Sequence, residues 1–111
     1  MRKKNYKGRC EKRKLDKCQG VCKTYDDIQY AYADILQKSK HVENFKCNVL
    51  IDETYTSDFV CTKSNGDIMV RECVKRHLIT KPLTIKLLDI SRNYWMNCGV
   101  TDWGIVTNAE K

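Results

Sequence analysis

Two acidic residues and a lysine lie within two short apolar segments in the middle of the chain. Asp58 interrupts TSDFVCTK, and Glu72 and Lys75 lie near the end of IMVRECVK. Two carboxylates on neighbouring strands can hold Mg²⁺ or Mn²⁺, and a nearby ammonium can orient a water or neutralise a phosphorane. The residue types therefore predict a phosphodiester-cleaving site in which Asp58 and Glu72 are the metal ligands.

The same acids also have a structural interpretation. Asp58 could be a polar residue at a sheet end that accepts bonds from local backbone N–H groups, and Glu72 a surface charge paired with Arg71 or Lys63. Strict alternation sends Glu72 and Lys75 to opposite faces of a strand. A bulge or shifted pairing could return Glu72 to the Asp58 side, and Arg71 or Lys63 would then have to replace Lys75.

Two segments have the apolar spacing of amphipathic helices. The first begins at Thr24, the predicted N-cap, and its apolar stripe runs through Gln37. The second opens at Pro82, with Thr80 as a cap upstream, and Gly99 is placed to end it in a left-handed conformation. These two helices precede and follow the acid-bearing runs.

Strands are predicted between and after the helices. Runs at 47–51, 56–63 and 68–75 predict three consecutive strands, and Asn-Gly within 64–67 predicts a hairpin between the last two. A fourth strand, 103–107, follows the second helix and should lie parallel to 68–75 or to its neighbour. The predicted order is αβββαβ, an α/β fold with a mixed sheet flanked by helices.

Three segments resemble a known family. TSDFV, VRECVK and LLDISRNYWMNCGVTDWGIVT look like parts of the TnsA-type transposon endonucleases, in the PD-(D/E)XK restriction-endonuclease-like superfamily. The resemblance runs from about Thr24 to Thr107. It implies a restriction-endonuclease-like core whose metal site combines an acid on the first helix, an Asp on the second core strand and E-x-K or Q-x-K on the third.

The implied catalytic residues are Asp58, Glu72, Lys75 and Gln29. Asp58 matches the family's strand Asp. Aligned by Lys75, however, the acid position of E-x-K holds Cys73 and Glu72 lies one residue out of register. Gln29 falls near the family's helix acid and contributes no charge to a metal.

The resemblance implies a Mg²⁺- or Mn²⁺-dependent DNA endonuclease, from a phage or another mobile element. The alternative is a nuclease fold that no longer cuts and that binds DNA or a host protein, for instance a phage-encoded inhibitor of a defence nuclease. Enzymes of this fold often dimerise to cut two strands, so a homodimer or a protein partner is a further expectation.

Positive charge is concentrated at the start of the chain. Residues 1–23 hold ten Lys and Arg against two acids, and the whole chain has a formal charge of +7. Such a segment is typical of contact with nucleic-acid phosphates, with a solvated tail, an acidic protein or a membrane surface as alternatives. We treat residues 1–23 as a basic arm, helical in part, and 24–111 as the nuclease-like domain. The predicted DNA contacts are Arg2, Lys3, Lys4, Lys7, Arg9, Lys12, Arg13, Lys14, Lys17, Arg76 and His77.

Three of the seven cysteines lie among charges in this arm. Cys10, Cys18 and Cys22 could supply thiolates to zinc, with Cys47, His41 or no residue as the fourth ligand. Cys18 and Cys22 could equally share one face of a short helix. Zinc is the less favoured interpretation.

The chain has no apolar stretch near the ~20 residues of a membrane span. Its start, MRKKNYKGRC, lacks the apolar region of a signal peptide. We therefore expect a cytoplasmic protein with no membrane partner.

Overall fold

The helices and strands follow the predicted α/β order. A computed structural model describes residues 11–52 and 55–107. In chain order the elements are β1 (Glu11–Arg13), β2 (Cys22–Thr24), α1 (Asp27–Lys38), β3 (Val42–Asp52), β4 (Tyr55–Lys63), β5 (Ile68–Cys73), a 3₁₀ helix (Arg76–Leu78), α2 (Pro82–Asn97) and β6 (Asp102–Val106). A mixed α/β fold with two α-helices is therefore confirmed for the described residues.

The main sheet has four strands in the order β3-β4-β5-β6. The first three are antiparallel neighbours, and β6 runs parallel to β5, as the connection through α2 predicted. The Asn-Gly turn joins β4 to β5, with Gly66 at φ +93° and the Lys63 N–H donating to the Asp67 carbonyl at 2.8 Å. This hairpin fixes which residues of the two strands face each other.

Both predicted N-caps are wrong. Asp26 caps α1, because its carboxylate accepts from the Gln29 N–H at 2.8 Å. Thr24 instead lies in β2, opposite Glu11. The N-cap of α2 is Lys81, which makes no side-chain cap bond, so Thr80 has no capping role. Gly99 has φ +90°, the left-handed conformation expected just beyond that helix.

The sheet strand before the hairpin begins earlier than predicted. The polar letters of KSKHVENF suggest a linker, yet β3 starts at Val42, five residues before Cys47. Val42 and Phe45 are both buried in the core, and Phe45 packs edge-on against Phe59 at 6.0 Å. Burial of Val42 and Phe45 in the core therefore accompanies the extension of β3 into this polar segment.

Residues 11–24 pack on the domain as a two-stranded ribbon rather than as a partly helical arm. The Phe45 N–H donates to the Lys17 carbonyl at 2.8 Å, and the Gln19 N–H donates to the Phe45 carbonyl at 2.9 Å. Cys18 and Cys22 are buried in the same apolar cluster as Phe45. Residues on both sides of position 23 therefore pack in one core, although the sequence suggested a boundary there between a basic arm and the domain.

The helices contact the sheet in different ways. α1 contributes Ala33 and Leu36 to the main apolar cluster. α2 is joined to the sheet partly by polar bonds, since the Trp95 indole N–H donates to the Ser57 hydroxyl at 2.9 Å. In the described part of the chain, neither helix is long and apolar enough to cross a membrane.

Candidate active site

The two predicted metal ligands face each other across β4 and β5. The last pair of the β4–β5 ladder is Phe59 opposite Arg71, and Asp58 and Glu72 are the next residue of each strand beyond that pair. Asp58 is 1% exposed and Glu72 is fully buried. The two acids therefore lie together in the interior, where the pairing of β4 with β5 ends.

Each carboxylate accepts a main-chain N–H from the opposite strand. The Asp58 N–H donates to Glu72 Oε1 at 2.9 Å, and the Cys73 N–H donates to Asp58 Oδ2 at 2.7 Å. The acids thus take the place of carbonyl acceptors where the strands separate. The structural interpretation of Asp58 expected local N–H donors, whereas the N–H that it accepts belongs to Cys73 on β5.

Both helices donate to the remaining carboxylate oxygens. The Gln29 amide of α1 donates from Nε2 to Asp58 Oδ1 at 3.1 Å. The Ser91 hydroxyl of α2 donates to Glu72 Oε2 at 2.5 Å and accepts from the Trp103 indole N–H at 3.0 Å. The site is therefore built from α1, β4, β5 and α2, with β6 supporting Ser91.

Gln29 is held by the start of its own helix. Its Oε1 accepts from the Tyr25 N–H at 2.8 Å, which leaves Nε2 directed at Asp58. Gln29 is 1% exposed. Gln29 thus reaches Asp58 from α1 as a neutral hydrogen-bond donor.

The position expected for the catalytic ammonium is apolar. Since Glu72 is the acid opposite Asp58, it takes the first place of an E-x-K triplet and Val74 takes the third. Val74 is buried, whereas Lys75 is exposed and lines an adjacent groove with Val74. The Cys73 side chain belongs to the main apolar cluster.

The two suggested substitutes for Lys75 are bound to another acid. Arg71 Nη2 contacts Asp102 Oδ1 at 2.7 Å, and Lys63 Nζ contacts Asp102 Oδ2. Hydrogen bonding from Lys63 and then from Arg71 holds the pKa of Asp102 below its ordinary value of 3.8. These cations therefore tie β4 and β5 to β6, and the predicted pairing of either with Glu72 is replaced by pairing with Asp102.

The donor set of the acid pair fits a hard divalent cation. Mg²⁺ and Mn²⁺ prefer carboxylate oxygens, and each such oxygen has two lone pairs, so a hydrogen bond and a metal bond at one oxygen are compatible. Access is the difficulty, because Asp58, Glu72 and Gln29 are all at most 1% exposed. A cation can reach the pair only if a donor such as Ser91 or Gln29 moves.

The predicted DNA contacts fall into three groups. Lys12, Lys14, Arg76 and His77 are exposed. Arg13 and Lys17 are engaged with the protein: Arg13 contacts Asp34 at 2.6 Å, and Lys17 Nζ donates to the Ser39 carbonyl at 2.5 Å. The other five, which lie outside the described residues, are Arg2, Lys3, Lys4, Lys7 and Arg9.

The predicted thiol cluster is present with a different third member. The Sγ atoms of Cys18, Cys22 and Cys47 all lie within 4.8 Å of one another. The Cys47 thiol, which donates to Cys22, lowers the pKa of Cys22 to about 7, while burial raises the pKa of Cys18 to about 11. His41 is exposed, and Cys10 lies outside the described residues.

Sequence reasoning missed Ser91 and Val74 as parts of the site. Ser91 is a polar residue within the apolar stripe of α2, which is a usable signal for a buried hydroxyl. Val74 is identified only by aligning the triplet on Glu72 rather than on Lys75. The assignment of Val74 depends on the position of Glu72 on β5, and that of Ser91 depends on how α2 packs against the sheet.

Comparison with family models and with curated proteins identifies no relative. No family model matches the chain, and no curated protein matches it. The geometry of the described residues therefore carries the functional argument.

Proposed function

We propose that the chain is a Mg²⁺- or Mn²⁺-dependent DNA endonuclease of TnsA-like type. The observation that carries the proposal is the meeting of Asp58, Glu72 and Gln29 in one hydrogen-bonded cluster. These three come from one helix and two strands, in the order that the family resemblance implies. A mobile element or phage is the source that the same resemblance suggests.

Each residue of the cluster has a distinct role in this proposal. Asp58 and Glu72 hold the cation, which when bound polarises the scissile phosphate. Gln29 fixes the orientation of Asp58 and, once displaced, can hydrogen-bond a water. Val74 supplies no charge, so cleavage here depends on the acids and on cations that approach from the surface, such as Lys75.

The exposed basic residues supply the contact with DNA. Lys12 and Lys14 lie on and just after β1, and Arg76 and His77 lie on the 3₁₀ helix that follows β5. Lys75, next to that helix, lines the groove beside Val74. Phosphate contact through such side chains positions the backbone without reading its sequence.

A second candidate function is a nuclease fold that binds without cutting. It is favoured by Val74 at the lysine position and by protein hydrogen bonds to all four oxygens of the acid pair. α2 also exposes apolar side chains that a host protein or a second copy could cover, with Leu83 50% and Met96 56% exposed. In this case the acids serve only to join the strands and helices.

A cleavage assay separates the two functions. Supercoiled and branched DNA would be incubated with the protein and Mg²⁺ or Mn²⁺, and products resolved on a gel. We expect cleavage by the native chain and a loss of at least about 100-fold in Asp58→Asn, since a metal ligand is removed. Asp67→Asn, at an exposed acid of the hairpin turn, is the matched control and should cut normally.

Folding must be checked in parallel, because Asp58 also accepts the Cys73 N–H. Asp58→Asn keeps an oxygen for that bond, and circular dichroism would confirm the fold. DNA binding without cleavage by the folded native chain, with equal binding by Asp58→Asn, would reject the endonuclease and leave the non-cutting function.

A further inference from the structure

Three thiols meet where the β1–β2 ribbon lies on β3. Cys22 Sγ is 3.2 Å and Cys18 Sγ is 3.7 Å from Cys47 Sγ. A tetrahedral zinc with Zn–S bonds of ~2.3 Å sets its sulfurs about 3.8 Å apart. The observed separations therefore need only small side-chain movements to surround one ion.

The loop that carries two of these thiols is fixed by the main chain. Cys18 pairs with Phe45 in a parallel bridge, and the Cys18 N–H donates to the Leu15 carbonyl at 3.0 Å. Gly20, at φ +84°, turns the chain so that Cys22 returns to the same place. The third thiol is held nearby, because the Asn48 amide donates to the Lys23 carbonyl at 2.9 Å.

The grouping of Cys18, Cys22 and Cys47 is more typical of metal ligands than of separate core side chains. Cys61 and Cys73 also lie in the core, as separate small apolar side chains, whereas three thiol groups crowd together at the ribbon. Thiolates are soft ligands that select zinc and related ions over Mg²⁺. Cys47 is only half-buried, which leaves a side open to a fourth ligand.

We propose that Cys18, Cys22 and Cys47 bind one zinc ion that fastens residues 11–24 to β3. The three thiols lose their protons on binding, and a water molecule completes the tetrahedron. The ion is structural, and its sulfur ligands are chemically distinct from the oxygen ligands proposed for cleavage. It holds the exposed Lys12 and Lys14 in a fixed position relative to the sheet.

Metal analysis of the full chain tests the site. Protein purified without chelators should contain stoichiometric zinc by inductively coupled plasma mass spectrometry. Cys22→Ser should reduce the zinc content at least about tenfold, whereas Cys98→Ser, at an exposed cysteine on the C-cap of α2, should leave it unchanged. A chelator should lower the melting temperature of the native chain and of Cys98→Ser.

A second measurement avoids dependence on how well Cys22→Ser folds. Cobalt added to chelator-treated native protein should produce thiolate-to-metal charge-transfer and intense tetrahedral d–d absorption, and zinc should displace it. Native protein without zinc and without these cobalt bands would overturn the proposal. A disulfide between Cys22 and Cys47 in protein purified under reducing conditions would overturn it as well.

Discussion

Asp58 and Glu72 accept main-chain hydrogen bonds between β4 and β5 that carbonyl groups accept in a regular sheet. Asp58 and Glu72 each accept a main-chain N–H of the opposite strand, and each also accepts from a helix side chain. A hydrogen bond within a protein contributes about 0.5–1.5 kcal/mol net, and a buried polar group left without one costs about 1–3 kcal/mol. The acids therefore support the fold whether or not they also hold a cation.

Ser91 should be the hydroxyl on which this site depends most. Ser91→Ala removes both the donor to Glu72 and the acceptor of the Trp103 N–H, and buried groups that lose partners cost about 1–3 kcal/mol. Urea unfolding should show that decrease in stability. Ser64→Ala is the control, because Ser64 is an exposed hydroxyl bonded to the Lys40 carbonyl, and it should change stability by less than about 0.5 kcal/mol.

At this scale the sequence allowed part of the site to be predicted. The Asn-Gly turn predicts that β4 and β5 pair, which places Asp58 and Glu72 near the same end of the two strands. The donors could not be predicted in the same way. Ser91 lies on a helix whose rotation against the sheet is determined by packing, and no local pattern reports which residue a long-range side chain will contact.

At the scale of elements, Asp102 joins three strands through charge. Lys63 on β4 and Arg71 on β5 both contact this residue at the start of β6. The parallel strand has one neighbour in the sheet, β5, so this cluster links it to β4 as well. An ion network of this kind is more effective than an isolated surface pair, although salt weakens it.

The stability of the fold should depend on acid through Asp102. Its pKa in the folded protein is below the ordinary 3.8, because Lys63 and Arg71 favour the charged form. This contribution is complete above about pH 4 and is lost as the pH falls through 3.8 toward the folded value. Melting temperatures from pH 7 to 3 should fall less steeply below pH 4 in Asp102→Asn. An unchanged slope would contradict this role.

Element order was predictable, and some element ends were not. The αβββαβ order follows from periodicity, from the Asn-Gly turn and from Pro82 and Gly99 at the ends of α2. The start of β3 depends on Val42 and Phe45 finding a place in the core, which is a tertiary effect. The ribbon at residues 11–24 could not be predicted, because its lysines dominate the sequence pattern. Its buried apolar residues are cysteines, which give a weak hydrophobic signal.

For the whole molecule, the described part of the basic segment belongs to the folded domain. Residues 11–24 form part of the domain, so deletion of residues 1–23 would remove core residues such as Cys22 together with charge. Arg13 also contributes to the fold, since its guanidinium lies 3.6 Å from the centroid of the Tyr30 ring and contacts Asp34. Charge changes that test DNA binding should therefore be confined to exposed lysines.

Neutralising Lys12 and Lys14 should weaken DNA binding through electrostatics. Each phosphate that a lysine neutralises contributes about 0.9 to the slope of log affinity against log salt on duplex DNA. Lys12→Ala with Lys14→Ala should therefore flatten that slope by up to about 1.8, as measured by fluorescence anisotropy. Lys86→Ala, at an exposed lysine of α2, is the control. Identical slopes in all three proteins would show that the ribbon does not touch phosphate.

The proposed endonuclease requires one ion between the two acids of neighbouring strands. A crystal grown with Mn²⁺ and measured at an anomalous-scattering wavelength observes that ion directly. We predict an anomalous peak bound by the carboxylates of Asp58 and Glu72, with Ser91 or Gln29 moved from its present hydrogen bond. Absence of a peak there, with both acids still bonded to Ser91 and Gln29 at saturating Mn²⁺, would contradict the account.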